Sequence, residues 1–90
     1  MRRNRTEILV AILEVCQNSE GLSHSKIGYK TRTNLALTYG AIKFLVEKHL
    51  LDMGSSRLCR AKVYRTTEEG RRLIQLYREV EKALATEARV

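Results

Sequence analysis

The sequence predicts an α+β fold that is mainly α and carries one small β-hairpin. Two observations lead to this prediction: apolar residues recur at helical spacing in four segments, and a Gly-Ser-Ser turn separates two short strand-like runs between residues 50 and 65. The length of 90 residues, of which 43% are hydrophobic, suits one small domain. Such a domain buries a modest core, so packing against a second copy would help to stabilise it.

The first helix is expected over residues 6–18, before Gly21 stops it. Its apolar stripe consists of Ile8, Leu9, Ile12, Leu13 and Cys16. Residues 1–5 hold Arg2, Arg3 and Arg5 ahead of any periodic pattern. We expect a flexible basic arm there, either a phosphate or minor-groove contact or simply a disordered start.

The second helix is expected over His24–Thr31, with Ser23 as its N-cap. Ile27 faces inward in this interpretation, and Tyr29 is a second candidate for the inner face. Gly28 lies inside the helix and weakens it.

The third helix is expected to begin between residues 35 and 39, since both Asn34 and Thr38 are capping residues, and to end near His49. A tight polar link joins it to the second helix, which is the pattern of a helix-turn-helix. Its expected core residues are Leu37, Ile42 and Leu45.

The hairpin is expected to follow at once. Leu50, Leu51 and Met53 form the predicted first strand, residues 54–56 the turn, and residues 61–65 the returning strand. Basic and apolar residues alternate imperfectly between the strands. A two-stranded hairpin with a basic tip is called a wing.

The last helix is expected to start at Thr67, or at Thr66 if Glu69 completes a capping box, and to reach about Ala88. Four of its apolar residues follow the a/d spacing of a coiled coil: Leu73, Tyr77, Val80 and Leu84. The stripe either packs onto the first helix of the same chain or meets a second copy. We expect the first two turns to do the former and the rest to form a homodimer.

Positive charge is concentrated in two acid-free segments, between Glu20 and Glu47 and between Asp52 and Glu68. They hold eight of the seventeen cationic side chains and none of the ten carboxylates, so the rest of the chain has a net charge of −1 and the total is +7. A solvated surface normally mixes the two signs. This distribution is therefore typical of a surface that faces a phosphate backbone.

Several other classes of function are excluded by the residues. Cys16 and Cys59 are too few and too far apart for a zinc site, and a buried thiol in the first helix is favoured over a disulfide. His24 and His49 lack companions at ligand spacing and suit surface or helix-end positions. No catalytic constellation or phosphate-binding loop can be assembled. We expect no enzyme, no metal or cofactor, and no small-molecule substrate.

The chain has no apolar run of about eighteen residues that would span a bilayer, and its basic start leads into an amphipathic segment instead of a signal-peptide core. The expectation is therefore no membrane partner and a cytoplasmic protein, associated with the nucleoid.

Three motifs resemble the winged helix-turn-helix family. Tyr64, Thr67 and Gly70 look like the Tyr-x-x-Thr-x-x-Gly junction that follows the wing, and the runs at residues 36–45 and 8–16 are similar to small archaeal DNA-binding proteins of about ten kilodaltons. The resemblance implies a winged helix-turn-helix domain over residues 6–70, with a C-terminal helix over residues 67–90 that dimerises as an antiparallel coiled coil. The sequence departs from the family at His49, where a glycine is common, and in its shorter final helix.

The leading hypothesis is a double-stranded DNA-binding transcriptional regulator whose third helix enters the major groove while its wing meets the backbone or a minor groove. The predicted DNA-binding residues are Lys26, Lys30, Arg32, Asn34, Thr38, Tyr39, Lys43, Arg57, Arg60 and Lys62. Tyr39 has the alternative of filling the space between the second and third helices. Two alternative functions stay open: an architectural, chromatin-like DNA-binding protein, and a winged-helix module that docks onto another protein.

Overall fold

Four helices and a two-stranded hairpin make up the computed structural model, which describes residues 4–55 and 62–88. The elements are α1 Arg5–Gln17, α2 His24–Thr31, α3 Leu35–Glu47, β1 Leu51–Ser55, β2 Lys62–Thr66 and α4 Glu68–Ala88. Their order and kind confirm the predicted α+β fold. Arg2 and Arg3 of the predicted arm, and Arg57, Cys59 and Arg60 of the predicted wing tip, lie outside the described residues.

The helix starts are fixed by side-chain caps. Asn4 accepts a hydrogen bond from the third residue of α1, so Arg5 begins this helix and does not belong to a flexible arm as predicted. Ser23 caps α2 as predicted. Asn34 accepts from the backbone N–H of Leu37 at 2.7 Å, so it is Asn34, and not the alternative Thr38, that caps α3.

The core is built around α1, which contacts each of the other three helices and β2. The buried apolar residues of the core come from five of the six elements and from the loop before α2: Val10, Ile12, Leu13, Cys16, Leu22, Ile27, Ile42, Leu45, Leu51 and Ile74. The burial of Cys16 confirms the predicted buried thiol.

Two apolar residues predicted to face inward are exposed. Tyr29 is 86% exposed and Leu37 is 47% exposed, so both predictions are wrong. The buried residues of α3 are Thr38, Ile42 and Leu45, which step by four and three along one helical face. Leu37 lies beside that face, because the core position one turn before Ile42 belongs to Thr38.

The hairpin pairs β1 and β2 in antiparallel register, with Gly54 opposite Val63 and Ser55 opposite Lys62. The prediction of a turn over residues 54–56 is therefore wrong for its first two residues, because they extend the ladder and satisfy their backbone groups there. Leu22 adds a bridge outside the two strands. Its N–H donates to the Tyr64 carbonyl at 3.1 Å and its carbonyl accepts from the Tyr64 N–H at 2.8 Å.

The junction between hairpin and α4 explains the motif found in the sequence. The Thr67 hydroxyl accepts from the Gly70 N–H at 3.1 Å and donates to the His49 carbonyl at 2.7 Å, whereas the Thr66 hydroxyl donates to a carbonyl of α1. A Cβ at Gly70 would lie 2.5 Å from the Leu50 carbonyl oxygen, so only glycine fits. The start of α4 is thus capped by Thr67, the first of the two predicted alternatives.

Beyond its first turns, α4 leaves the core. Ile74 is buried and Tyr77 partly so, while every side chain from Arg78 to residue 85 is exposed. Arg78 forms an ion pair with Glu14 of α1 at the point where the helix leaves the core. The molecule is consequently elongated, at 52 × 28 × 20 Å. Within residues 4–55 and 62–88, none of the helices is long and apolar enough to cross a membrane.

Candidate nucleic-acid interface

The turn between α2 and α3 is stabilised by hydrogen bonds of threonine hydroxyls. Thr33 contacts Thr31 at 2.9 Å and Thr38 at 2.5 Å, and the Thr38 hydroxyl donates to the Asn34 carbonyl at 2.7 Å. A Cβ at Gly28 would lie only 3.2 Å from the Thr38 hydroxyl, so α2 and α3 approach closely here. Because Thr38 is fully buried in this contact, its prediction as a DNA-binding residue is wrong. Its role is to set the position of α3.

Asn34 remains exposed at the start of α3, but its side-chain oxygen is engaged in the cap. Its NH2 group is left to donate a hydrogen bond to an acceptor outside the protein. A bidentate contact with adenine uses the oxygen and the nitrogen of the amide together. The cap therefore disfavours this bidentate contact for Asn34 and favours contacts made by its NH2 group alone.

The outward face of α3 has small residues along the centre of its first two turns, Ala36 and Gly40, and a lysine after them. Ala36, Gly40 and Lys43 are all exposed and follow one another at helical spacing, and a Cβ at Gly40 would meet nothing within 4 Å. Leu37 flanks this line on one side. Tyr39, which is 61% exposed, flanks it on the other, so the alternative in which Tyr39 fills the space between α2 and α3 is not observed. A helix with so little bulk along its centre can approach another surface closely.

An open groove of about 530 Å³ lies between α3 and the hairpin. It brings together three of the predicted residues, Tyr39 and Lys43 from α3 and Lys62 from β2. The other lining residues are Ser23, His24, Ser25, Ile42, Val46, Glu47, Met53 and Tyr64. The groove thus has two cationic side chains on opposite walls and a partly apolar floor.

His24 is a groove residue that the sequence analysis assigned only to a surface or helix end. Its Nε2 lies 3.1 Å from the Leu35 carbonyl oxygen, and its ring centroid lies 5.6 Å from that of Tyr39. The contact holds Tyr39 beside the groove. No spacing rule links residues fifteen positions apart in two helices, so the sequence carried no signal for this pair.

The remaining predicted cations lie on α2 and its C-cap. Lys26 and Lys30 are exposed one turn apart, and Arg32 is exposed in a left-handed conformation with φ 56°. Within the described part of the chain, no carboxylate forms an ion pair with these three residues or with Lys43 and Lys62. Five cations without anionic partners make this side of the molecule electropositive.

Negatively charged side chains are concentrated on another side of the molecule, between α1 and α4. Glu7, Glu14 and Glu81 line a second groove there together with Tyr77. Partial desolvation raises the pKa of Tyr77, and the carboxylates of Glu81, Glu7 and Glu14 raise it further. A polyanion would be repelled from this side and attracted to the side that carries α2, α3 and the hairpin.

The order of elements, the fastened turn between α2 and α3 and the hairpin after α3 define a winged-helix domain. A family model of the winged helix-turn-helix matches residues 2–85 of the chain. The protein therefore belongs to the winged helix-turn-helix family, as its sequence motifs indicated.

Solved structures with the same fold come from several bacterial regulators. A PadR family transcription regulator from Clostridium difficile R20291 matches with a TM-score of 0.78 and 18% identity over 88% of this chain and 91% of its own. FabT from Streptococcus pneumoniae, solved in complex with DNA, matches with a TM-score of 0.70 and 16% identity over 96% of this chain and 59% of its own. BpsR from Bordetella bronchiseptica matches with a TM-score of 0.77 and 19% identity over 92% of this chain and 60% of its own.

These identities show a shared fold. The chain spans nearly the whole of the PadR regulator but less than two thirds of the other two proteins. No curated protein sequence matches the chain.

Proposed function

We propose that this protein binds double-stranded DNA and regulates transcription, with α3 in the major groove and the wing on the backbone or in a minor groove. One observation carries the proposal: five exposed cations surround α3 and the groove beside it, and none of them forms an ion pair with a carboxylate of residues 4–55 or 62–88. The winged helix-turn-helix family and the DNA complex of FabT support it.

In this proposal the groove between α3 and the hairpin receives one strand of the DNA backbone. Lys43 and Lys62 stand on its two walls and would each neutralise a phosphate, while the Tyr39 hydroxyl donates to the same strand or to a base edge. The Asn34 NH2 group would contact a base acceptor at the start of α3.

The cations outside the groove would extend the contact along the duplex. Lys26, Lys30 and Arg32 would meet phosphates on one side of α3, and Arg57 and Arg60, which lie outside the described residues, are included among the predicted phosphate contacts. With about six phosphates neutralised in each protomer, the logarithm of affinity should fall with the logarithm of salt concentration at a slope near −5.

Fluorescence anisotropy with a random duplex, titrated over salt concentration, tests this function. Lys43→Ala and Lys62→Ala should each make the salt slope shallower by about one, because each removes one phosphate contact. Lys82→Ala is the matched control, since it removes the same charge from α4 and should leave the slope unchanged. No binding at low salt would overturn the proposal.

An architectural role is distinguished from regulation by sequence preference. Selection from a mixed pool of duplexes should enrich a defined site if the protein is a regulator, and should enrich none if it coats DNA along the nucleoid. We favour regulation, because the winged helix-turn-helix match and the similar structures of transcription regulators support it.

A module that docks onto another protein is the second candidate function. The exposure of Leu35 and Leu37 on α3 favours it, because apolar side chains at a helix surface suit a protein partner. The surrounding cations favour DNA. Absence of DNA binding at low salt would leave the docking module as the better interpretation.

We further propose a homodimer formed through α4. Leu73, Tyr77, Val80 and Leu84 lie along one stripe, on which Tyr77 is half-buried and the other three are exposed. Val80 and Leu84 are 49% and 59% exposed beyond the reach of the core. Their a/d spacing suits the coiled coil expected from the sequence. An uncovered stripe of this length is stabilised by a second copy of itself.

Sedimentation velocity of the double variant Val80→Glu, Leu84→Glu tests the dimer. The variant should sediment as a monomer, because four carboxylates would otherwise be buried together in the interface. Gln75→Glu is the control, since it adds a carboxylate to the opposite side of α4 and should leave the dimer intact. A dimeric double variant would overturn this mode of assembly.

A further inference from the structure

The first two turns of α3 expose more apolar surface than hydrogen-bonding groups. Leu35 is 59% exposed, Leu37 is 47% exposed, and Ala36 and Gly40 lie open between and after them. Among the exposed residues of α3 before its last turn, only Tyr39 and Lys43 end in groups that form hydrogen bonds. This surface is therefore poorly suited to reading bases by paired hydrogen bonds.

The major groove contains one apolar feature that such a surface can recognise. Each base pair exposes donors and acceptors there, and thymine adds a C5 methyl group. An apolar side chain placed over a donor or acceptor leaves it without a partner, which costs binding free energy, whereas over a methyl group it removes apolar surface from water. The contact would discriminate for thymine and against cytosine at the same position.

We propose that the first two turns of α3 recognise thymine by its C5 methyl group. This inference rests on the proposed DNA-binding function. The cations around α3 identify DNA as the occupant of this apolar face, because Lys26, Lys30, Arg32, Lys43 and Lys62 complement a phosphate backbone. A protein partner would have to match five unpaired cations as well as the apolar residues.

The arrangement of the face fits a close contact. Ala36 and Gly40 lie one turn apart on the outward line of α3, and the open space at Gly40 lets the helix backbone approach the base edges. Leu37 stands at the side of this line. It also lines a groove of about 550 Å³ with Ile8 and Leu9 of α1, so its apolar surface is continuous with that of α1.

The test compares duplexes enriched from a random pool with the same duplexes carrying deoxyuridine for thymidine. The replacement removes the C5 methyl groups and leaves the phosphates and the Watson–Crick pairing unchanged. Affinity should fall by about fourfold for each methyl group buried against α3, the factor that corresponds to one buried methylene-sized group. Enriched sites should contain thymine at the positions where this fall occurs.

The variant Leu37→Gln tests whether the fall in affinity on removing the methyl groups arises from contacts with α3. It keeps a long, helix-compatible side chain but replaces the apolar end with an amide. The variant should bind thymidine and deoxyuridine duplexes with nearly equal affinity. Ala36→Gln provides a second variant with the same expected loss, should the first fail to fold. Lys43→Ala is the control, since it should weaken binding to both duplexes by the same factor and preserve their ratio.

The outcomes separate this inference from the function on which it rests. Salt-dependent binding with equal affinity for the two duplexes, or enrichment of sites made only of G·C pairs, would overturn methyl recognition and leave DNA binding intact. A ratio that persists unchanged in both glutamine variants would also overturn it. Loss of all binding at low salt would overturn the proposed function itself.

Discussion

The side-chain hydroxyls of Thr33 and Thr38 lie 2.5 Å apart and connect the turn after α2 to the first turn of α3. They belong to a chain of four contacts that runs from the Ile27 carbonyl through Thr31, Thr33 and Thr38 to the Asn34 carbonyl. Thr31 and Thr38 donate their hydroxyl hydrogens to the two carbonyls, so the single hydroxyl hydrogen of Thr33 is donated to only one of its two neighbours at a time. Since this series of hydroxyl contacts joins the end of α2 to the start of α3, it helps to set the angle between the two helices.

Thr38→Val should lower the free energy of unfolding by about 1 to 2 kcal/mol. Valine keeps the shape of threonine but cannot donate to the Asn34 carbonyl, and it leaves the Thr33 hydroxyl without one of its partners in a half-buried site. Urea denaturation followed by circular dichroism measures the change. Thr6→Val is the control, because the Thr6 side chain is exposed near the start of α1 and should cost little. Equal stability of the two variants would show that the hydroxyl chain is not structurally important.

Gly40→Ala should stabilise the protein while weakening its binding to DNA. The new Cβ meets nothing within 4 Å, and alanine is favoured over glycine inside a helix by about 1 kcal/mol. The same methyl group would occupy the space through which α3 approaches the bases. Thermal denaturation and fluorescence anisotropy on one preparation measure the two effects, and their opposite signs are the essential result.

Gly70→Ala is the matched comparison and should destabilise the protein by about 2 kcal/mol or more. Its Cβ would lie 2.5 Å from the Leu50 carbonyl oxygen and 2.6 Å from the Thr66 methyl group, so the start of α4 would have to shift. Two identical substitutions in helices thus have opposite expected effects on stability. Similar stabilities for the two alanine variants would contradict the packing described at both glycines.

Much of the fold could be predicted because its signals are local. Ser23 and Asn34 precede helical runs as capping residues, and the structure uses both as caps. On the inner face of α3, Ile42 and Leu45 are buried as predicted and Leu37 is not, although a signal for the correct third residue was present. Extending the four-and-three spacing back from Leu45 and Ile42 reaches Thr38, and the preference for an apolar residue led to Leu37 instead.

The geometry of the candidate site depends on contacts between distant residues and could not be predicted. Lys43 and Lys62 face the same groove only because the hairpin folds back beside α3, and the Leu22 bridge to Tyr64 helps to hold it there. The charge pattern indicated which segments carry the cations. It contained nothing about the walls of the groove or about His24 beside them.

His49→Gly should raise the free energy of unfolding by about 1 kcal/mol. His49 has φ 60° between α3 and β1, in the left-handed region where a side chain is strained and glycine is not. The family position commonly held by glycine therefore keeps its backbone conformation here with a different residue. Chemical denaturation measures the gain. Lys48→Gly is the control, because Lys48 has an ordinary φ of −88° and glycine there should be destabilising. Destabilisation by both substitutions would show that His49 contributes contacts that outweigh the strain.

The buried thiol of Cys16 should make the protein less stable at alkaline pH. Burial raises the pKa of Cys16 from its ordinary value of 9.0 to about 12. Between these two values the unfolded chain has released the thiol proton while the folded chain retains it, so the folded state binds more protons. The free energy of unfolding must then fall as pH rises through this window.

Urea denaturation at several pH values from 8 upward measures this slope, with Cys59→Ser in every variant so that Cys16 is the only cysteine. Cys16→Ala should reduce the stability at pH 8, because it removes a buried group, and should also make the decline above pH 9 shallower. Every other ionisable group is shared by the two proteins, so its contribution cancels when they are compared. The difference between the two slopes therefore isolates the thiol. Parallel slopes would contradict the raised pKa of Cys16 in the folded protein.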